Sequence, residues 1–264
     1  MIKVAQHELD TMQAISPLLR LPDDYLVIDC ETTGFKRDGG DFILDLGFVK
    51  VANNEIVDYG NEELDWSQHP DVSDEYVRER LGRLAESYGK EGRPLYYSWE
   101  RLLRDGKEPC GVLHKFSNMI YEHLINSDTA IIGHGFRSFD RPMIDRHTEL
   151  YLQGYALPWA HGRVIDTGLV EKAIQAQLVP HPSDDLDTWF NSVNGRRIRG
   201  VKWSLQNHCD GKYQLSERFG LNPEAGHTAV FDCLLGHHML QTFKEMLRHV
   251  NGEPSELFDV QVAA

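Results

Sequence analysis

The chain has 264 residues, 41% hydrophobic and 26% charged, which at about 150 residues per domain suits one elaborated domain. Acidic residues outnumber basic ones 41 to 27, a net charge of −14; this argues against a protein that coats long duplexes through many phosphate contacts, but suits one that holds cations or grips a few nucleotides at a chain end. No run nears the roughly 18 apolar residues of a membrane span, the N-terminus lacks a signal-peptide core, and Cys30, Cys110, Cys209 and Cys233 are too widely spaced for a disulfide scaffold or a structural zinc site, so we expect an intracellular protein with no membrane partner.

After a polar N-terminal stretch, the apolar run Tyr25-Leu26-Val27-Ile28-Asp29-Cys30, stopped by Thr32-Thr33-Gly34, reads as a buried strand. Residues 42–51 and 55–60 flank the turn pair Asn53-Asn54 and read as a hairpin. A polar, Arg- and Glu-rich helical stretch follows over about 71–105, an insertion or cap spanning about 66–115. Helical spacing over 113–125, a short strand at 129–133, a helix over about 138–152, a strand at 164–166 and a helix to about Gln177 follow in turn. Residues 180–200 read as a polar loop, then two short helical pieces lead to a long last helix over about 228–249. Three strands in a meander followed by strands alternating with helices imply an α/β fold. The expected form is a mixed central sheet of about five strands with helices on both faces, as a single domain with its core over about 24–250.

Three segments carry chemistry. Asp29 and Glu31 are two apart on a strand, so their carboxylates share one face while Cys30 points away. Two acids in one patch repel unless a proton or a cation intervenes, and a divalent ion with oxygen ligands satisfies both. Asp140 lies on the helix face of Met143, Ile144 and His147, where a carboxylate needs a partner; a helix-cap acid is the alternative. Asp232 sits beside the apolar stripe Ala229, Cys233, Gly236, Leu240, Phe243, Leu247 and Val250 of the last helix, turned toward the core, and His227 precedes that helix after Glu224-Ala225-Gly226.

Taken together, Asp29-Cys30-Glu31-Thr32-Thr33-Gly34, Asp140 and His227-x-Ala229-x-x-Asp232 resemble the histidine-bearing (DEDDh, DnaQ-like) branch of the 3′–5′ exonucleases. The tyrosine-bearing branch would want a tyrosine where Thr228 stands. The resemblance spans about 24–248 and includes Ile43-Leu44-Asp45-Leu46-Gly47, Val164-Ile165-Asp166-Thr167 and Trp203-Ser204-Leu205. The middle motif, with His134 six residues before Asp140 and Pro142 two after it, is most similar to Trex-type exonucleases. Gly135 replaces the asparagine usual after that histidine, a change expected to loosen the loop but to remove no metal ligand.

The resemblance implies a ribonuclease H-like fold and two divalent cations, Mg²⁺ or Mn²⁺, about 3.5–4 Å apart. In that reading Asp29, Glu31 and Asp232 hold one ion, Asp29 bridges to the second, Asp140 supports the second site, and His227 accepts a proton from water. Thr32 and Thr33 would contact the terminal 3′-hydroxyl, and Phe35 would wedge against the last base or, alternatively, pack in the core. Arg196, Arg197 and Arg199, the densest basic stretch, would track phosphates or form a solvated hairpin. Arg78, Arg80 and Arg83 read as a solvated helix face, and Asp166 and His134 as structural supports. The expected activity is exonucleolytic removal of nucleoside 5′-monophosphates from single-stranded or frayed 3′ ends, with DNA favoured over RNA. An exoribonuclease is the first rival and a catalytically silent nucleic-acid-binding module the second. A homodimer, or a polymerase or repair partner, is compatible with the sequence.

Overall fold

The structure, a computed structural model, describes residues 2–34, 40–90, 95–126, 129–200, 203–222, 228–254 and 258–261. Strands β2 (Tyr25–Thr32), β3 (Ile43–Ala52) and β4 (Glu55–Glu63) form the meander, and β5 (Ala130–Gly133) and β6 (Arg163–Asp166) complete a sheet in the order β4-β3-β2-β5-β6. β3 runs antiparallel to both β2 and β4, while β5 and β6 run parallel to β2. The β3–β4 turn places Asn53 and Asn54 at φ 52° and 68°, the left-handed pair that a two-residue hairpin turn needs and that asparagine tolerates. β1 (Ile2–Ala5) lies outside this sheet and pairs in parallel with β7 (Phe258–Gln261).

The strand period of two divides the core. Tyr25, Val27, Val49 and Val51 pack into one apolar cluster with residues of α1 (Gln6–Leu19), α6 (Thr167–Ala176), α7 (Leu186–Gly195) and α10 (Ala229–Val250). Leu26, Ile28, Leu44 and Leu46 pack into the other, with α2 (Asp74–Lys90), α3 (Trp99–Asp105), α4 (Pro109–Ile125) and α5 (Asp140–Tyr151). Both faces of β2 are therefore covered, which is why its sequence is an unbroken apolar run rather than an alternation. Among the described residues no helix is long and apolar enough to cross a membrane.

Three expectations change. Residues 180–200 are not a loop throughout: α7 occupies Leu186–Gly195, its N-cap Asp185 accepting from the Thr188 N–H at 2.7 Å. Leu186, Trp189, Phe190 and Val193 form its apolar stripe, and the last three are buried. Arg196, Arg197 and Arg199 consequently follow a helix and stand exposed, with no strand among the described residues there. The polar N-terminal stretch holds α1, whose Leu9, Met12, Ile15 and Leu19 are buried. Lastly, Arg80 does not belong to a solvated face: its guanidinium donates to Asp41 Oδ1 at 3.3 Å and to the Tyr76 hydroxyl at 2.7 Å, and the Tyr76 hydroxyl donates to the Gly40 carbonyl.

Between the main elements lie the π-helical turn Leu205–Asp210 and the short helices α8 (Gly211–Tyr213) and α9 (Leu215–Arg218). They are fastened to the core by a buried polar cluster. Lys212 Nζ donates to Glu8 at 2.7 Å and Glu171 at 2.9 Å, and the Tyr213 hydroxyl donates to Glu171 at 2.8 Å. Glu171 is fully buried, so these donors supply what water would otherwise provide.

Candidate metal centre

The sheet register builds the site. Asp29 pairs with Gly47 across the β2–β3 ladder, and Glu31 pairs with Asp45. Paired residues share a face, so Asp29 and Glu31 project beside Gly47 and Asp45. The backbone of α10 enters directly onto Gly47: a Cβ there would stand 2.5 Å from the Ala229 carbonyl oxygen and from Val230 N, and would overlap the Ala229 carbonyl carbon. Only glycine admits that approach. Thr228 caps the helix by accepting from the Phe231 N–H, and one turn on, Asp232 meets the strand acids. One carboxylate oxygen from each of Asp29, Glu31 and Asp232 lies within 4.8 Å of the others.

Asp140 joins them from α5. Its Oδ1 accepts the Cys30 N–H at 3.0 Å, which fixes it beside the backbone between Asp29 and Glu31. It is 5% exposed, and it stands outside the three-residue group whose oxygens converge. Burial drives the Asp29 carboxyl well above the usual carboxylate range, with the charges of Asp140, Asp232 and Glu31 adding to it. Burial likewise lifts Asp140 to about 7 against the pull of the Cys30 amide. Asp232 also rises to about 7 by burial, moderated by the Gln206 amide. Acids in this condition lack compensating charge. The donors are oxygens only, which suits a hard divalent cation of the Mg²⁺ or Mn²⁺ kind rather than a thiolate-bound metal.

The surroundings of Asp140 are pinned. Asp166 accepts from the Gly135, Arg137 and Leu169 amides at 2.9, 3.1 and 3.1 Å. His134 Nε2 donates to the Trp203 carbonyl at 2.6 Å, and its Nδ1 meets Thr167 Oγ1 at 3.0 Å. Gly135 has φ +68°, a left-handed conformation that glycine or asparagine takes most readily. Its N–H and carbonyl are both bonded, so this loop is held through Asp166 and the following turn rather than loosened by the glycine.

The other predicted contacts divide. Thr32 is partly buried, with Oγ1 donating to the Gly34 carbonyl at 2.9 Å. Thr33 is buried; its hydroxyl donates to Asp41 at 3.2 Å and accepts from the Phe42 amide at 2.9 Å. Phe35 and His227 lie outside the described residues. Among the described residues no hydrogen bond or ion pair ties Arg196, Arg197 or Arg199 to the acids.

Two contributors were not foreseen. Gln206 donates to Asp232 Oδ1 at 2.8 Å from the π-helical turn; its place after Trp203-Ser204-Leu205 was the available signal. Asp45 was noticed only as a landmark. It is fully buried, accepts from Asn61, from the Tyr97 hydroxyl and from the Ala229 amide, and thereby holds the first turn of α10.

These features define an α/β protein of ribonuclease H-like fold with an acidic centre at the end of its second strand. No protein-family model matches the sequence, and no curated protein matches it by sequence. Solved structures do match. Escherichia coli exonuclease I in complex with a dT13 oligonucleotide aligns with TM-score 0.54 at 14% identity over 87% of this chain and 43% of that one. The same enzyme with a dA16 oligonucleotide aligns with TM-score 0.51 at 15% identity over 86% of this chain and 41% of that one. Exonuclease X in complex with 5′-overhanging duplex DNA gives TM-score 0.41 at 18% identity, covering 88% of this chain and 96% of that one. The chain thus spans about two fifths of the length of exonuclease I, and the likeness to that enzyme establishes the fold.

Proposed function

We propose that this protein is a DnaQ-like, metal-dependent 3′–5′ exonuclease of the histidine type that shortens single-stranded or frayed DNA. The observation that carries this is the convergence of Asp29, Glu31 and Asp232 on one point with Asp140 fixed beside them. The exonuclease I structures of similar fold hold single-stranded DNA, and one is a zinc-bound form.

In this reading Asp29, Glu31 and Asp232 hold one divalent ion, and Asp29 with Asp140 the second. Such ions supply a nucleophile from water at neutral pH and offset charge on the phosphate. Gln206 keeps Asp232 oriented by donating to Oδ1. The Cys30 amide orients Asp140 in the same way, by donating to Oδ1. His227, five residues before Asp232 in sequence, takes the proton from the attacking water. Thr32 meets the terminal 3′-hydroxyl, Phe35 stacks on the last base, and Arg196, Arg197 and Arg199 follow the upstream phosphates. The spacing of His134, Asp140 and Pro142 supports a Trex-like middle motif in this reading.

The test uses two 5′-labelled single strands of one sequence, DNA and RNA, incubated in Mg²⁺, Mn²⁺ or EDTA beside His227→Ala. The expected result is a ladder shortening from the 3′ end, faster on DNA, abolished by EDTA and strongly slowed by the substitution while Mn²⁺ binding persists. A faster RNA ladder assigns the site to RNA ends. No shortening of either strand overturns the proposal.

A further inference from the structure

The inserted segment between β4 and β5 reaches the strand beside the acidic centre through the buried hydroxyl of Tyr97, which bonds Asp45. Glu31, Asp45 and Glu63 stand side by side in register across β2, β3 and β4, three carboxylates in a row that each require a different partner. Glu63 is met by Arg101 of α3, whose Nε lies 3.0 Å from both of its oxygens. Asp45 is met by Asn61 at 2.9 and 3.0 Å and by the hydroxyl of Tyr97, 2.9 Å from Oδ2. That same Oδ2 accepts the Ala229 amide at 3.2 Å. One oxygen atom therefore joins the insertion to the first residue of α10.

The joint is rigid on every side. Tyr97 is 3% exposed, its ring lies in the second apolar cluster, and it packs edge-on to Tyr96 at 5.1 Å. The insertion is itself fastened to the sheet: the Trp66 indole donates to the Ile43 carbonyl at 2.6 Å, the Lys107 amide to the Glu63 carbonyl at 2.8 Å, and Leu64 bridges to Lys107. On the helix side, Ala229 rests on Gly47 with no room to settle closer, and the Asp232 amide bonds back to the Thr228 carbonyl at 3.1 Å. A carboxylate held at a helix N-terminus is also favoured by the helix dipole.

We infer that Tyr97 and Asp45 are positioning residues: the insertion sets the location of the first turn of α10, and through it the distance from Asp232 to Asp29 and Glu31. The insertion is then a brace for the centre rather than only a cover for substrate. Its effect on ion affinity rests on the metal-centre reading above; its effect on the helix does not.

The experiment compares wild type, Tyr97→Phe, Asp45→Asn and a control, Tyr76→Phe, which removes a hydroxyl of the same insertion that bonds Gly40 instead. Amide hydrogen exchange is followed by mass spectrometry over 229–234, Mn²⁺ binding by calorimetric titration, and kcat and KM on a DNA oligonucleotide. Tyr97→Phe and Asp45→Asn are expected to raise exchange locally at 229–234. They should weaken Mn²⁺ binding by about tenfold, as loss of a partner that orients a ligand does, and lower kcat with KM unchanged. Tyr76→Phe should do none of these. Unchanged exchange in Tyr97→Phe, or a rise spread over the whole chain, overturns the inference, as does a local rise with unaltered Mn²⁺ affinity. A wild type that binds no Mn²⁺ refutes the metal-centre reading instead, and the exchange at 229–234 then decides the brace alone.

Discussion

With the divalent ion removed, the buried acids of the centre should cost the protein stability as the pH rises, the reverse of ordinary carboxylates. Asp140 and Asp232 stand at about 7 rather than the ordinary 3.8, chiefly because they are buried. An acid whose folded pKa is raised stabilises the fold while it keeps its proton. That contribution is complete below the unfolded value and disappears as the pH passes the folded one. Histidines act in the other direction at lower pH: His134, His147 and His237 are depressed to about 4 and His238 to about 3, all by burial first. Unfolded histidines still bind protons up to about pH 7.5, so their opposing contribution runs through the same window and cancels only in a comparison with Asp232→Asn, where it is unchanged. Between about pH 6.5 and about pH 8.5 each of the two acids gives up on the order of 1 kcal/mol, which in a chain of this size is about 2–4 °C in Tm for each. Asp29, also raised by burial and its acid neighbours, adds in the same sense. The assay is thermal unfolding in EDTA and in saturating Mn²⁺ across that window. Mn²⁺ should raise the wild-type Tm by more at high pH than at low pH, while in EDTA Asp232→Asn should gain about 2–4 °C on wild type as the pH rises through the window and should not respond to Mn²⁺. A Tm difference between wild type and Asp232→Asn in EDTA that stays constant to within about 1 °C across the window, or an Mn²⁺ gain that does not grow with pH, refutes the reasoning.

Other substitutions probe the supports. Gly47→Ala should abolish Mn²⁺ binding and nuclease activity with the far-ultraviolet circular dichroism unchanged, because its Cβ must push the Ala229 backbone off the sheet; retained Mn²⁺ affinity would show that α10 does not need this floor. His147 is fully buried, with Nδ1 2.7 Å from the Met143 carbonyl and Nε2 accepting the Ile43 amide at 3.3 Å, so protonation would set two donors face to face. Its pKa of about 4 makes acidification from about pH 6.5 to about pH 4 cost about 3 kcal/mol through this group, and denaturant titrations of His147→Gln should show a shallower acid limb than wild type. Gly135→Val, placed at φ +68°, should lower stability by about 1–3 kcal/mol by chemical denaturation; Gly135→Asn should lose less, and equal losses would contradict the backbone argument.

Much of the architecture was legible because its signals are local. The run ending at Asp29 announces a strand covered on both faces, the Asn53-Asn54 pair announces the hairpin, and the stripe from Ala229 to Phe243 announces α10. Helix α7 was missed because Leu186, Trp189, Phe190 and Val193 are set among acids and asparagines that read as a loop. Helix α1 was missed for a similar reason: its apolar stripe is diluted by polar residues and it carries Pro17. Arg80 was misjudged because its partner Asp41 is 39 residues away, beyond any helical spacing.

The acids show the same division more sharply. Composition reveals an excess of them, and spacing singles out Asp29, Glu31, Asp140 and Asp232, but an acid's chemistry depends on which donors meet it. Glu31, Asp45 and Glu63 occupy equivalent places on neighbouring strands. Arg101 neutralises Glu63, and Asn61, Tyr97 and the Ala229 amide occupy Asp45. Glu31 is brought instead oxygen to oxygen with Asp29 and Asp232. The register that sorts these three is fixed across a connection of ten residues between β2 and β3, Thr33 to Phe42, and the donors come from the insertion and from the far end of the chain. Three converging carboxylates suit a cation, so the donors that satisfy Asp45 and Glu63 leave the convergence of Asp29, Glu31 and Asp232 as the point, among the described residues, where the acids meet one another.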